Sequence, residues 1–227
     1  MQESSSPLWY TAFVKFPNLL LSKLAALVPE KARNNISAFN DKAIFFICTK
    51  KQYDSWTLYS VNRDEADDYF STCEGALQLL FKYDPRRYLR VKKFLKNIAL
   101  APVPSGFSKC SESCFLDHFN SARQDAFAAD LVHEATHGYL LAKGLSYDAN
   151  RRRHEQICLK EEQRSAERLF AGTNAHLPEE QREAWRREWR SQWKIYFKTC
   201  METEWWTPHK RDQARLDAIR NLHKKIT

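Results

Sequence analysis

The spacing of apolar residues along the chain predicts several helices and a few short strands. Apolar positions recur every three or four residues in six stretches. These helical stretches are 18–29, 64–83, a restart at Asp84-Pro85, 120–143, 148–170 and 178–200. Short apolar runs predict strands at 43–49, 55–61, 98–103 and 114–119, and the polar loop between the first two predicts a hairpin. Because helices and strands do not alternate regularly, the predicted fold class is α+β.

Length and composition predict one main domain with an extension. The 227 residues are 43% hydrophobic, which is enough to bury a core, and only 5 glycines argue against a turn-dense all-β fold. We expect a domain over 1–175 and a helical extension over 176–227 that packs on it. Trp185, Trp189 and Trp193 form a stripe on the extension helix, which predicts a buried seam, with a partner-binding face as the alternative.

Net charge and cysteine content indicate which partners and which cellular compartment to expect. The formal net charge is +8, but acidic residues are interleaved with the basic ones, which favours a solvated helical face over a nucleic-acid interface. Six scattered cysteines without a CxxC pair and without an obvious signal peptide predict reduced thiols and a cytoplasmic protein. The apolar stretch 12–28 is interrupted by Lys15, Pro17 and Lys23, so it predicts an amphipathic helix rather than a membrane span.

The segment DLVHEATHGYLL, residues 130–141, carries the candidate chemistry. On a helix, His133 and His137 project from one face one turn apart, a spacing at which two imidazoles can bind one Zn²⁺. Glu134 then lies beside the metal rather than on it, where it can take a proton from the water that attacks a substrate. The pattern therefore predicts a single-zinc hydrolase.

A third ligand is needed, because two imidazoles alone make a weak site. The HExxHxxGxxH pattern is absent, since Leu140 and Lys143 occupy its Gly and third-His positions. The next helix offers an acid for a His₂Glu set. Glu155, Cys158 and Glu162 fall on one face of this helix, with Glu161 to the side. The three glutamates are the candidates, and Cys158 is expected to be a small buried hydrophobic residue.

HEATH resembles the motif of the gluzincins, the thermolysin-like branch of zinc metallopeptidases. The resemblance covers about residues 114–170. It implies a zincin-like domain, cleavage of peptide bonds, and a third ligand on the following helix, roughly twenty to twenty-five residues after the motif. Glu162, followed by Ser165 and Ala166, fits that implication best, with Glu161 or Glu155 as alternatives. The strand at 114–119 would belong to the active-site sheet, whose edge pairs with an extended substrate.

The resemblance also leaves several roles open. Ala166 stands where the family commonly has an acid beyond the third ligand, so Asp117, Asp130 and Asp148 are candidates by residue type for holding a ligand histidine. A residue that stabilises the oxyanion is also expected. The candidates by residue type are Tyr147, His154, His176 and His209. Two rival functions remain: an interaction protein stabilised by zinc without turnover, and a basic metalloprotease associated with nucleic acid.

Overall fold

A computed structural model describes residues 30–101, 106–116 and 124–202. In this part of the chain six helices and five strands follow one another as α1 Glu30–Ile47, β1 Thr49–Tyr53, β2 Trp56–Ser60, α2 Ala66–Tyr83, α3 Pro85–Phe94, β3 Asn97–Leu100, β4 Gly106–Ser108, β5 Ser113–Leu116, α4 Gln124–Ala142, α5 Tyr147–Thr173 and α6 Glu179–Glu202. The α+β prediction is confirmed.

The five strands form one mixed sheet in the order β1-β2-β3-β5-β4. The three central strands β2, β3 and β5 run parallel, and the outer strands β1 and β4 pair antiparallel with their neighbours. Helices α2 and α3 make the crossover from β2 to β3, as a parallel pair requires. A hairpin is present as β1 and β2, but its first strand is formed by residues 49–53, most of which were predicted to be the loop between the two strands. The short strand β4 is not predicted by the sequence pattern.

Alternating residues of the central strands serve opposite faces of the sheet. Ile98 and Leu100 of β3 join the main core, together with buried residues of α2 and α4 such as Tyr69 and Leu131. Ala99 and Ala101 point to the other face, where Ile44 and Phe45 of α1 cover them with Tyr59 and Phe115. The sheet is therefore enclosed between α1 and the other helices.

The strand predicted at 43–49 is wrong, because α1 continues to Ile47. The run AIFFI resembles a buried strand, yet only part of it is buried. Phe45 stacks on Tyr59 and on Phe115, with ring centroids 4.3 and 5.7 Å apart, whereas Phe46 is 90% exposed. As part of a helix, this segment covers one face of the sheet, and this tertiary packing overrides the local strand propensity of the run. The predicted helix over 18–29 lies outside the described residues.

Helices α4 and α5 form an antiparallel pair that holds the motif segment. Gly144, with a φ of +78°, follows the end of α4 at Ala142, close to the predicted end of this helix at 143. Helix α6 covers the other side of α5, where Leu159 packs with Trp193 and Tyr196. Trp185 stacks on Phe170, so the tryptophan stripe faces α5. No helix in the described ranges is long and apolar enough to cross a membrane.

Candidate metal centre

The HEATH segment lies in the middle of α4 and is buried. His133 is 4% exposed, Glu134 3% and His137 7%. The two imidazole rings face the same side of the helix, with centroids 5.0 Å apart. The i, i+4 spacing thus has the local geometry that the sequence predicts, and α5 covers it.

Three buried side chains form a group that could hold a metal ion. His133, His137 and Cys158 each offer one ligand atom, and these atoms lie within 4.8 Å of one another. Cys158 comes from the face of α5 that packs on α4 and is fully buried. Imidazole nitrogen and thiolate sulfur are both zinc ligands, so the donor set fits this ion.

Glu155 reaches the same place from one turn earlier on α5. Its Oε2 lies 3.4 Å from Nε2 of His133 and 3.8 Å from Nε2 of His137. Neither Oε2 of Glu155 nor Nε2 of His133 has a hydrogen-bond partner among the residues that the structure describes, although both atoms are buried. The other carboxylate oxygen, Oε1, accepts a 2.6 Å hydrogen bond from Tyr147. Two buried ligand-type atoms therefore face each other at a separation longer than an ordinary hydrogen bond, as they would around an ion.

Glu162, the acid that the sequence analysis favoured as third ligand, contacts the other nitrogen of His133. Its Oε2 lies 2.8 Å from Nδ1 of the ring, and the side chain is 1% exposed. Nδ1 and Nε2 lie on different sides of an imidazole, so Glu162 is placed behind the ring when Nε2 faces Glu155. This is the position of a carboxylate that orients a ligand histidine.

Glu161, the second alternative for the ligand, turns toward α3. Its carboxylate accepts hydrogen bonds from Arg87 and Arg90 at 3.2 and 2.9 Å, and from Arg164 at 2.9 Å. Arg90 also donates to the hydroxyl of Thr136, which lies inside the HEATH segment. These hydrogen bonds link α3, α4 and α5 beside the site. They hold the Glu161 carboxylate against the arginines and direct it toward α3.

Charges in the site shift two pKa values in opposite directions. Burial by itself lowers the pKa of His133, but the carboxylates of Glu155 and Glu162 more than offset it and raise the pKa to about 10. Burial raises the pKa of Glu155, but the neighbouring rings of His133 and His137 hold it well below its usual range. Without a metal, the site therefore holds a buried imidazolium paired with carboxylates. A divalent cation would replace that proton.

Glu134 follows His133 on α4 and is enclosed with it. Its negative charge is close enough to raise the pKa of His133 and also that of Cys158. Burial is the largest cause of the raised pKa of Cys158, so its thiol stays protonated when no metal is bound.

The remaining sequence candidates fall in different places. Tyr147 and His154 are beside the site, and the His154 ring stacks on that of His137 with centroids 5.6 Å apart. His176 is exposed beyond the end of α5. Asp130 is half-buried on α4. The side chain of Asp148, together with Asp117 and His209, lies outside the described residues. Sequence reasoning missed Arg90, because nothing in the α3 sequence marks a contact with Thr136.

No protein-family model, curated protein or solved structure matches the chain.

Proposed function

We propose that this protein is a zinc-dependent hydrolase that cleaves peptide bonds. His133 and His137 would hold the ion through Nε2, Glu155 would be the third ligand, and Glu134 would be the general base. The observation that carries this proposal is the position of Oε2 of Glu155, which is buried and lies within 4 Å of Nε2 of both histidines. Tetrahedral zinc sites with bonds of roughly 2.1 Å separate their ligand atoms by about 3.4 Å, and Glu155 lies 3.4 and 3.8 Å from the two nitrogens.

The distances favour Glu155 over Glu162 as the third ligand. An ion held by Nε2 of His133 cannot also contact Glu162, which lies against Nδ1 of the same ring. Glu162 would instead accept a proton from Nδ1–H and keep the ring oriented. Tyr147 would do the same for Glu155 through its hydrogen bond to Oε1.

Glu134 supplies the feature that a purely structural zinc site does not need. When bound, zinc activates a water molecule and polarises a substrate carbonyl. Glu134, adjacent in sequence to a ligand and buried beside it, would take the proton from the attacking water and deliver it to the leaving amine.

An edge strand beside the motif helix supports a peptide as substrate. In the described part of the sheet, β4 is the outermost strand on the side of β5. Phe107 of β4 packs against α4 at Gly138, where an added Cβ would lie 3.1 Å from the ring. An extended chain that pairs with such an edge is bound by its backbone. An edge next to the site therefore suits a polypeptide better than a compact small molecule.

The test is metal analysis combined with a peptide-library or casein digest. We expect one zinc per chain in the wild type and in Glu134→Gln, with cleavage lost only in the variant. Glu180→Gln, the same substitution at an exposed position of α6, is the matched control and should keep both properties. A wild-type protein that binds no zinc, or equal cleavage by wild type and Glu134→Gln, would contradict the proposal.

Cys158 favours a second candidate, a closed zinc site without turnover. If its thiolate bound the ion together with both histidines and Glu155, no position would remain for water, and zinc would only stabilise the fold. Cobalt substitution separates the two cases, because a thiolate ligand gives an intense charge-transfer band. We expect no such band and unchanged zinc affinity in Cys158→Ala. A band that disappears in this variant would support the structural site instead.

A further inference from the structure

A chain of polar contacts leads from the backbone to His137. Nε2 of His154 lies 2.7 Å from the carbonyl oxygen of Leu145, in the turn between α4 and α5. Nδ1 of the same ring lies 3.3 Å from Nδ1 of His137. His154 is fully buried, so protein atoms rather than solvent determine which of its nitrogens carries the proton.

The carbonyl determines where each proton must be. A carbonyl oxygen only accepts, so Nε2 of His154 carries a hydrogen and donates it. In a neutral ring Nδ1 then has a lone pair and can only accept. Because two lone pairs at 3.3 Å repel each other, the hydrogen between the rings belongs to Nδ1 of His137. The remaining lone pair of His137 is then on Nε2, the nitrogen that faces Glu155.

We propose that His154 is a positioning residue that keeps His137 in the Nδ1–H tautomer, in which the lone pair that can bind a metal ion is on Nε2. This inference rests on the proposed metal site for its purpose, but the tautomer itself is a property of the metal-free protein. It assigns His154 a role different from the oxyanion contact suggested by residue type alone.

Cys158 defines the competing arrangement. Its Sγ lies 3.5 Å from the same Nδ1 of His137. If the thiol donated its hydrogen there, Nδ1 would be the acceptor and Nε2 would carry the proton, which blocks metal binding through Nε2. The carbonyl-anchored ring of His154 excludes this arrangement, because its Nδ1 needs a hydrogen from His137.

The first measurement is the tautomer of His137 in metal-free wild-type protein, read from long-range ¹H–¹⁵N correlations of its ring. We expect a protonated Nδ1 and an unprotonated Nε2. The reverse pattern, or an even mixture of the two tautomers, would overturn the inference. This result does not depend on zinc binding or on activity.

Two substitutions at position 154 give the second measurement. His154→Phe keeps the ring but loses both polar contacts. It should shift His137 toward a mixture of tautomers and weaken zinc binding by about 10- to 100-fold. His154→Gln can still accept from His137 and donate to Leu145, and should keep the wild-type tautomer with zinc affinity near that of the wild type. His176→Phe, the same change at an exposed histidine, is the control.

The outcomes separate this inference from the proposed function. If wild type binds no zinc but His137 shows the Nδ1–H tautomer, the hydrolase proposal fails and the role of His154 stands. If wild type binds zinc and His154→Phe, folded by circular dichroism, binds it equally well, the role of His154 fails alone. Should His154→Phe not fold, the tautomer in the wild type decides.

Discussion

The pKa of His133 predicts that zinc binding strengthens steeply with pH. The ring must give up its proton to bind a metal, and its pKa in the metal-free protein is raised to about 10 by Glu155 and Glu162. At about pH 7 roughly one molecule in a thousand then has a neutral His133. Apparent zinc affinity is thereby reduced about 10³-fold, or about 4 kcal/mol, below that of the deprotonated site.

Rising pH has the opposite effect on the stability of the metal-free protein: zinc binding strengthens, but the free energy of unfolding falls. Because the pKa of His133 is higher in the folded than in the unfolded protein, its bound proton stabilises the fold. This stabilisation is complete at pH values below the unfolded pKa of about 6.5. This contribution is lost as the pH rises through about 10. With zinc bound, the metal replaces the proton, and the loss should not occur.

The assay is chelator competition between about pH 6.5 and 9, corrected for the protonation of the chelator itself. We expect apparent zinc affinity to rise close to tenfold per pH unit. Glu162→Gln removes one of the carboxylates that raise the pKa, so it should make the slope shallower at the upper end of the range. A wild-type affinity that does not change with pH would refute the reasoning.

Three further predictions concern ligand identity and stability. Once affinities are corrected for the protonation of His133, Glu155→Gln should lose zinc far more completely than Glu162→Gln, which should weaken binding about 10- to 100-fold; equal losses by equilibrium dialysis would count against Glu155. Arg87→Met should lower the free energy of unfolding in urea by about 3 kcal/mol, because it leaves the buried Asp84 without its 2.8 Å partner; a change below about 1 kcal/mol would argue that this ion pair is unimportant. Trp193→Ala should lower the free energy of unfolding by about 3 kcal/mol in the same assay, since Trp193 is 7% exposed in the seam between α5 and α6. An unchanged unfolding midpoint would mean that α6 does not stabilise the fold.

The long helices were predictable because their signals are local. Helix α4 was expected over 120–143 and occupies Gln124–Ala142, and α5 was expected over 148–170 and occupies Tyr147–Thr173. Apolar periodicity and Gly144 were sufficient, since neither depends on distant residues. The pair of histidines on one face follows from the same periodicity.

Features that depend on tertiary contacts were not predictable. Asp84 precedes Pro85 at the start of α3, as expected, but its side chain makes no capping bond there and pairs with Arg87 instead. Nothing in the sequence places Arg87 in the core.

The choice of third ligand is the same kind of problem. Glu155 and Glu162 share one face of α5, and only the packing of α5 on α4 decides which nitrogen of His133 each contacts. Their spacing along the helix is compatible with either assignment: the resemblance to gluzincins favours Glu162, and the distances favour Glu155.

Anomalous diffraction at the zinc edge from crystals of the zinc-loaded protein tests the central claim most directly. The account predicts one peak within about 2.2 Å of Nε2 of His133, Nε2 of His137 and a carboxylate oxygen of Glu155, with Cys158 not coordinated. A peak bound to Cys158 and Nδ1 of His137, or one coordinated by Glu162, would contradict it.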